Sequence, residues 1–267
     1  MIIVGERLNG QFKDVEEALK TRKKETIHDL ARKQVEAGAD YLDVNVGTAV
    51  PSSEKKEAMV WLVETIQEAT DAPLALDSPI EDVIAASLEA ANNPTMINST
   101  QADPDKLDRY IDLAQEHDAS LIALTMDKNG VPNDVNKRVE LAGNIVVSAM
   151  NKGFPFERLY IDPIILPVGA TQAQPGIVLE ALQQLQGLAD PAPHFILGLS
   201  NVSQNTVERS LINRTYLVMC MAMGLDSAIV DPFDKELMDA MITGEILLNN
   251  QIYSDSYLAA YRESKKG

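Results

Sequence analysis

Short apolar runs broken by polar turns recur along the whole chain, with helical patterns between them. The runs cover residues 2–4, 41–46, 74–76, 95–97, 121–124, 159–161, 195–197 and 228–230. Each has strand length, and most are followed at once by a polar residue or a glycine. Between them, apolar residues repeat on one helical face, as at Ile27, Leu30, Ala31 and Val35, or Met59, Leu62, Val63 and Ile66. The same spacing marks Val83, Ile84 and Leu88, then Leu107, Ile111 and Ala114, then Leu179, Leu182 and Leu185, then Leu237 and Met241. Gly38-Ala39-Asp40 and Gly224-Leu225-Asp226 each place a glycine where a helix takes a left-handed cap, directly before a strand. Residues 252–261 read as an extra helix or tail.

Repeated βα units without a Pro/Gly/Ser-rich linker predict an α/β fold, a (β/α)8 TIM barrel forming one domain over residues 1–267. A doubly wound open sheet is the rival. It would carry a glycine fingerprint after its first strand, and Gly5-Glu6-Arg7-Leu8-Asn9-Gly10 is not G-x-G-x-x-G.

Composition narrows the function classes. Apolar residues make up 45% of the 267, enough for a sizeable core. No run approaches the roughly 20 apolar residues of a membrane span. The start, MIIVGERLNG, lacks the basic opening of a signal peptide, and the one cysteine, Cys220, allows no intrachain disulfide. Both predict a cytoplasmic protein. A formal net charge of −17 argues against a nucleic-acid partner, which requires a basic footprint.

In a barrel of this kind, chemistry sits where strands end. The polar residues there are Glu6, Asn9, Asp43, Asn45, Asp77, Asn98, Asp162, Ser200, Asn201, Gln204 and Asp231. An Asp or Asn in such a place can simply cap the next helix. Two local patterns supply other caps. Ser78-Pro79-Ile80-Glu81 reads as a capping box, and Asp103 stands before Pro104. Asp77 and Asn98 are then spare. Asp162 lies well upstream of the helix starting near Pro175, and a loop separates Asn201 from Arg209.

Metal and nucleophilic chemistry have little footing. His28, His117 and His194 are scattered without the spacing of a zinc site, and none follows a strand. Cys220 sits inside an amphipathic run, so no protein-bound metal is expected. An aldolase would need a strand-end lysine, and there is none. Two carboxylates and two amides suit a polar ring instead. Carboxylates accept from a ring N–H and an exocyclic amine, while Asn offers both roles. A 2-amino-4-oxo pyrimidine edge, as in a pterin or guanine, presents that set. The stretch at 195–205, FILGLSNVSQN, empties a strand into neutral amides and hydroxyls, a poor match to a phosphate dianion.

Asp77 in LALDS, Asn98 in MINST, Asp162 in YIDP and Asn201 in GLSNVSQN, in that order, resemble the pterin-binding, corrinoid-dependent methyltransferases. GERLNG, DVNVG and LINRT match as well, and the likeness runs from residue 1 to about residue 257. The resemblance implies a homodimeric (β/α)8 barrel that takes tetrahydrofolate or 5-methyltetrahydrofolate in its mouth. It also implies a partner protein carrying the cobalamin or other corrinoid whose cobalt exchanges the methyl group. Asp77, Asn98 and Asp162 would hold the pterin, with Asn201 near N5. Gln204 and Arg209 would position substrate, Asp43, Asn45 and Ser200 would stand behind them, and Glu6 and Asn9 would line the same mouth. Asn201, Asp162 and Asp77 are the expected catalytic set. No strong acid stands among them, so Asn201 reads as a hydrogen-bond partner to N5 rather than a proton donor.

Two departures are visible. Strand 8 ends AIVDPFD without R-x-H, which speaks against dihydropteroate synthase. Gln186, in QQLQGLADPAP, stands where related enzymes can carry a basic residue toward the folate tail or the partner. Another pterin-binding barrel, such as a dihydropteroate synthase-like enzyme, and a non-catalytic folate-binding subunit remain the alternatives.

Overall fold

Eight parallel strands pair in chain order and the last returns to the first, closing a barrel with no free edge. They are β1 (Ile2–Gly5), β2 (Tyr41–Val44), β3 (Leu74–Asp77), β4 (Thr95–Gln101), β5 (Ser120–Leu124), β6 (Leu159–Asp162), β7 (His194–Gly198) and β8 (Ser227–Val230). Closure runs through β1 and β8, with Ile3 beside Ala228 and Gly5 beside Val230. This is a computed structural model, and it describes residues 1–253.

The helices surround the barrel: α1 (Lys13–Thr21), α2 (Lys24–Glu36), α3 (Lys55–Gln67), α4 (Glu81–Ala90), α5 (Pro104–Glu116), α6 (Val135–Asn151), α7 (Gln174–Leu185), α8 (Arg209–Ala222) and α9 (Lys235–Leu247). The predicted (β/α)8 architecture is the one found. The first connection departs from it by holding two helices. The extra one, α1, has nine residues and buries only Val15, Ala18 and Leu19, too few apolar positions to stand out in a charged stretch. Among the described residues, no helix is long and apolar enough to cross a membrane.

Apolar residues divide between two regions because successive strand side chains point to opposite faces. Val4, Ala75, Met96, Ile122, Tyr160 and Ile196 fill the barrel interior. Ile3, Leu42, Val44, Leu76, Ile97, Leu121, Ile161, Phe195 and Val230 face outward and join the larger core beneath the helices. Glycine caps return α2 and α8 to the barrel. Gly38 and Gly224 both have φ +98°, and the residue after each bonds back into the helix, Ala39 to Gln34 and Leu225 to Cys220.

Several local expectations need correction. The capping box at residues 78–81 does not form, because α4 starts only at Glu81 with Ile80 in the cap position. Ser78 Oγ instead accepts from the Ile80 N–H at 3.2 Å. Asp103 does occupy the cap position of α5, but its side chain makes no capping bond, leaving the fixed φ of Pro104 to start the helix. The fourth strand does not stop at Ile97; it runs through a register shift between Asn98 and Thr100 to Gln101. Of residues 252–261, only Ile252 and Tyr253 are described, without regular structure, so the predicted extra helix lies outside the described residues.

Gly10 shows a close backbone approach. Its N–H donates to the Asn45 carbonyl at 2.7 Å, and a Cβ there would stand 2.3 Å from the Val46 carbonyl oxygen. Gly143 lies inside α6 with nothing within 4 Å of its would-be Cβ. The two should respond to alanine with opposite signs. Gly10→Ala should lose about 2 kcal/mol in urea unfolding, because backbone must move, whereas Gly143→Ala should gain about 1 kcal/mol from helix propensity. Equal effects would contradict this packing.

Candidate active site

Alternation inside the barrel decides which side chains reach its mouth. Two residues beyond the interior positions Val4, Tyr41, Ala75, Met96, Tyr160 and Ile229 stand Glu6, Asp43, Asp77, Asn98, Asp162 and Asp231. All of these line one cavity of about 760 Å³, together with Asn9, Asn45, Ser200, Asn201, Gln204 and Arg209. Every residue singled out for this site thus meets in one place. Leu124 and Ile229 add apolar wall.

Most of these groups are tied to one another. Asn45 Nδ2 donates to Asp77 Oδ2 at 2.5 Å, and Asn45 Oδ1 accepts from the Gly47 N–H at 2.6 Å. Asn98 Nδ2 donates to Asp43 Oδ1 at 3.0 Å. Asp77 and Asn98 are therefore free of capping duty, as expected, yet each is oriented by a neighbour from β2 or the loop after it. Asp162 Oδ1 accepts from the Ile164 N–H at 2.6 Å. Ser200 Oγ donates to Glu6 Oε1 at 2.7 Å. Asn9 Oδ1 accepts from the Gln11 N–H at 3.0 Å, which shapes the loop after β1.

The strand β7 leads into a 3-10 turn, Leu199–Ser203, which carries Asn201. Arg209 braces that turn from the start of α8. Its Nε donates to Ser203 Oγ at 3.1 Å and a terminal nitrogen donates to the Ser200 carbonyl at 3.2 Å. Asn201 and Gln204 are exposed, and among the described residues neither side-chain amide has a hydrogen-bond partner. Fixed pairs thus line much of the mouth, and the Asn201 and Gln204 amides are left open to it.

Burial dominates the electrostatics. Desolvation pushes Asp162 up to about 7, against the Ile164 and Gly198 N–H groups and the charge of Arg138. It also pushes Glu6 up to about 7, opposed by the Ser200 hydrogen bond and reinforced by Asp231. Asp77 rises to about 6 through burial, opposed by Asn45. Asp43 lies well above the usual carboxylate range through burial and then the nearby Asp77 charge. No strong acid stands here, but burial gives Asp162 and Glu6 a proton affinity near neutrality, which makes them weak acids within the mouth. Spacing could not reveal this, because the shift comes from enclosure.

Sequence reasoning also missed Asn213 and Arg138. Asn213, within LINRT, lines the cavity and has a buried Oδ1 without a hydrogen-bond partner among the described residues. An amide on the inward face of α8, beside Tyr216 and Leu217, was the available signal. Gln186 proves remote from the site. It follows the end of α7 on the face where strands begin, and its Nε2 donates to the Gly224 carbonyl at 3.2 Å. Contacts with a folate tail in the mouth are thereby excluded for it. Among the described residues, no group of three or more His, Cys, Asp or Glu is arranged to hold a metal ion.

Raised carboxyls set the sign of a stability test. Asp162 titrates near about 4 when unfolded and at about 7 when folded. Between those values the folded chain binds the extra proton, so this group's contribution to stability falls as pH rises. Asp162→Asn should therefore stabilise the ligand-free protein at pH 8, by on the order of a few kcal/mol, and much less at pH 5. Thermal melts at both pH values measure the difference, and a larger gain at pH 5 would refute the assignment.

Comparison with known proteins places the chain in a family. The pterin binding enzyme family matches residues 5–231. The methylcorrinoid:tetrahydrofolate methyltransferase of Eubacterium limosum is 34% identical over 271 aligned positions, spanning 100% of this chain and 98% of that protein. Methionine synthase of Mycobacterium leprae (strain TN) is 29% identical over 243 positions, 86% of this chain but only 20% of that protein. Among solved structures, dihydropteroate synthase from Stenotrophomonas maltophilia superposes with a TM-score of 0.70 over 95% of this chain and 94% of its own, at 17% identity. That likeness concerns the fold alone. The chain belongs to the pterin-binding enzyme family, on its methyltransferase branch.

Proposed function

We propose that this protein moves a methyl group between N5 of tetrahydrofolate and the cobalt of a corrinoid carried by a partner protein. The observation that carries the reading is the division of the mouth. Asp77, Asn98 and Asp162 are oriented by bonds to the barrel, while the Asn201 amide is open to the cavity. The full-length relative, a methylcorrinoid:tetrahydrofolate methyltransferase, supports the substrate pair.

The residues present fit a pterin. Carboxylates at Asp77 and Asp162 accept from the ring N–H and the 2-amino group, and Asn98 offers a donor and an acceptor. Their bonds to Asn45, Asp43 and the Ile164 N–H hold them in place before substrate arrives, which lowers the entropic cost of orienting the ring. Gln204 and Asn213 complete the polar wall. Glu6, Asn9, Asp43, Asn45, Ser200 and Arg209 keep the binding groups and the Asn201 turn in position. The corrinoid partner docks on the face where the strands end, because the methyl must pass directly to cobalt. Assembly as a homodimer in the cytoplasm belongs to the same proposal. Val147 and Met150 on α6 and Met219 on α8 are exposed apolar residues that a second copy would cover.

Transfer is a displacement at the methyl carbon. In one direction the reduced cobalt of the partner's corrinoid, as substrate, would take the methyl carbon while the carbon–N5 bond breaks with its electron pair left on nitrogen, and that pair takes up a proton. Asn201 Nδ2 donates to N5 as the pair develops, a preorganised contact worth about 3 kcal/mol by analogy with other amide donors. Asp162, pushed up to about 7 by burial, lies in the same cavity, and the ring's N–H donors favour its charged, accepting form. In the opposite direction N5 attacks the methyl carbon with its free pair, the cobalt–carbon bonding pair would leave with the partner's cobalt, and N5 then loses its proton, so no prior protonation is needed. The E. limosum relative is named for that direction. The same groups serve both by microscopic reversibility.

Binding and chemistry separate by mutation. Asp77→Asn and Asp162→Asn should each weaken methyltetrahydrofolate binding in calorimetry by about 1–3 kcal/mol, because an acceptor becomes a partial donor against an N–H edge. Wild-type affinity in both would refute the pterin assignment.

Asn201→Ala should bind folate normally and transfer methyl about 100-fold more slowly in single-turnover stopped flow with folate saturating. Transfer from methyltetrahydrofolate should slow as pH rises, since N5 must gain a proton, and the alanine variant should keep that profile because Asn201 does not titrate. An unchanged rate would make Asn201 a bystander.

A further inference from the structure

Arg138 is the largest fully buried side chain outside the chemistry assigned so far. It lies in the first turn of α6, where a cation would ordinarily reach solvent, yet its exposure is 0%. Its guanidinium donates to the carbonyl oxygens of Pro163, Ile164 (2.5 Å) and Pro132 (2.9 Å) and to Gln174 Oε1. One side chain therefore gathers the loop after β6, the approach to α6 and the start of α7. Gln174 is itself held, with Nε2 donating to Asn133 Oδ1 at 3.1 Å. Among the described residues, no carboxylate forms an ion pair with Arg138. A buried unpaired cation is costly, and stability alone does not account for it.

The loop it grips bears directly on the site. Ile164 has φ +59°, a conformation that β-branched residues rarely adopt. In that conformation its N–H turns back onto Asp162 Oδ1, and its carbonyl turns to the guanidinium. We propose that Arg138 is a positioning residue for Asp162, clamping the loop after β6 so that the Ile164 N–H addresses the carboxylate, and setting a fixed positive charge behind it. This rests on the reading that Asp162 works in the mouth.

The charges around this pair are few. On Asp162 act the Ile164 N–H from the loop, the Gly198 N–H at the end of β7 and Arg138 from α6. Arg138 in turn faces Asp134 at the start of α6 and Tyr216 on α8. Removing the guanidinium leaves burial less opposed, so Asp162 should keep its proton to higher pH.

The test reads that titration in the ligand-free full chain, by carboxyl carbon-13 resonance, with the Asp162 signal assigned by its loss in Asp162→Asn. Arg138→Gln should raise the midpoint by about one pH unit. Arg138→Lys, which keeps the charge but loses the fork that gathers the loop, should raise it less than Arg138→Gln does, because the Ile164 N–H is no longer held on the carboxylate. Gln174→Glu sets a carboxylate on the guanidinium without removing it, and should raise the midpoint in the same direction. It carries the test should Arg138→Gln fail to fold. Unmoved midpoints in Arg138→Gln and Gln174→Glu, with native circular dichroism, would overturn the proposal. Calorimetry of methyltetrahydrofolate binding to the unmodified protein tests the functional reading separately, because the titration needs no ligand.

Discussion

Closing a parallel sheet onto itself leaves each strand one set of side chains pointing inward, and that constraint organises this protein. Inside the barrel those positions hold Val4, Ala75, Met96, Ile122, Tyr160 and Ile196, which pack as a core. One step further along the same faces the packing ends and the cavity begins. Whatever stands there is half inside the barrel and half in the mouth. Glu6, Asp43, Asp77, Asn98, Asp162 and Asp231 occupy those places. Their convergence needs no special loop geometry, since the pleat of each strand delivers them.

The same constraint makes the site expensive to keep ionised. Carboxyls at the rim of a packed interior are shielded from water, and burial is the first cause of the raised proton affinity at Glu6, Asp43, Asp77 and Asp162. Local donors offset part of that cost. Asn45, Asn98, Ser200 and the Ile164 N–H each answer one of these carboxyls. The result is a set of groups poised between charged and neutral forms and already oriented. A ring presenting N–H donors favours the charged forms, so substrate binding and proton affinity are coupled in this mouth.

Rigid and open elements have different sources. The binding groups descend from strands and are held by bonds across the barrel. Asn201 sits on a turn outside the sheet, steadied from behind by Arg209, with its amide left unengaged among the described residues. That arrangement suits a group whose bond is made to a changing atom of the substrate rather than to the protein. Preorganisation of the turn, without prior engagement of the amide, lets the bond strengthen only when charge develops.

The sequence by itself determined the repeating βα units, the two glycine caps before β2 and β8, and the list of polar residues at strand ends. Period-two and period-3.6 patterns and the demand for φ > 0 are local properties, so a linear reading reaches them. Motif order was specific enough to reach the family as well, and all the singled-out residues do line one cavity. Other features were decided only by the tertiary structure. Ser78 does not cap α4 and β4 runs on past Ile97, so both of those readings changed, while Asn98 stayed free of capping but was taken up by Asp43, 55 residues away. Gln186 fell on the opposite face because α7 runs back against its strands. The weakly acidic character of Asp162 and Glu6, and the gathering of three segments by Arg138, arise from burial and from contacts 6 to 36 residues apart for that arginine. Desolvation is a property of the enclosed site, and no residue carries it in the sequence.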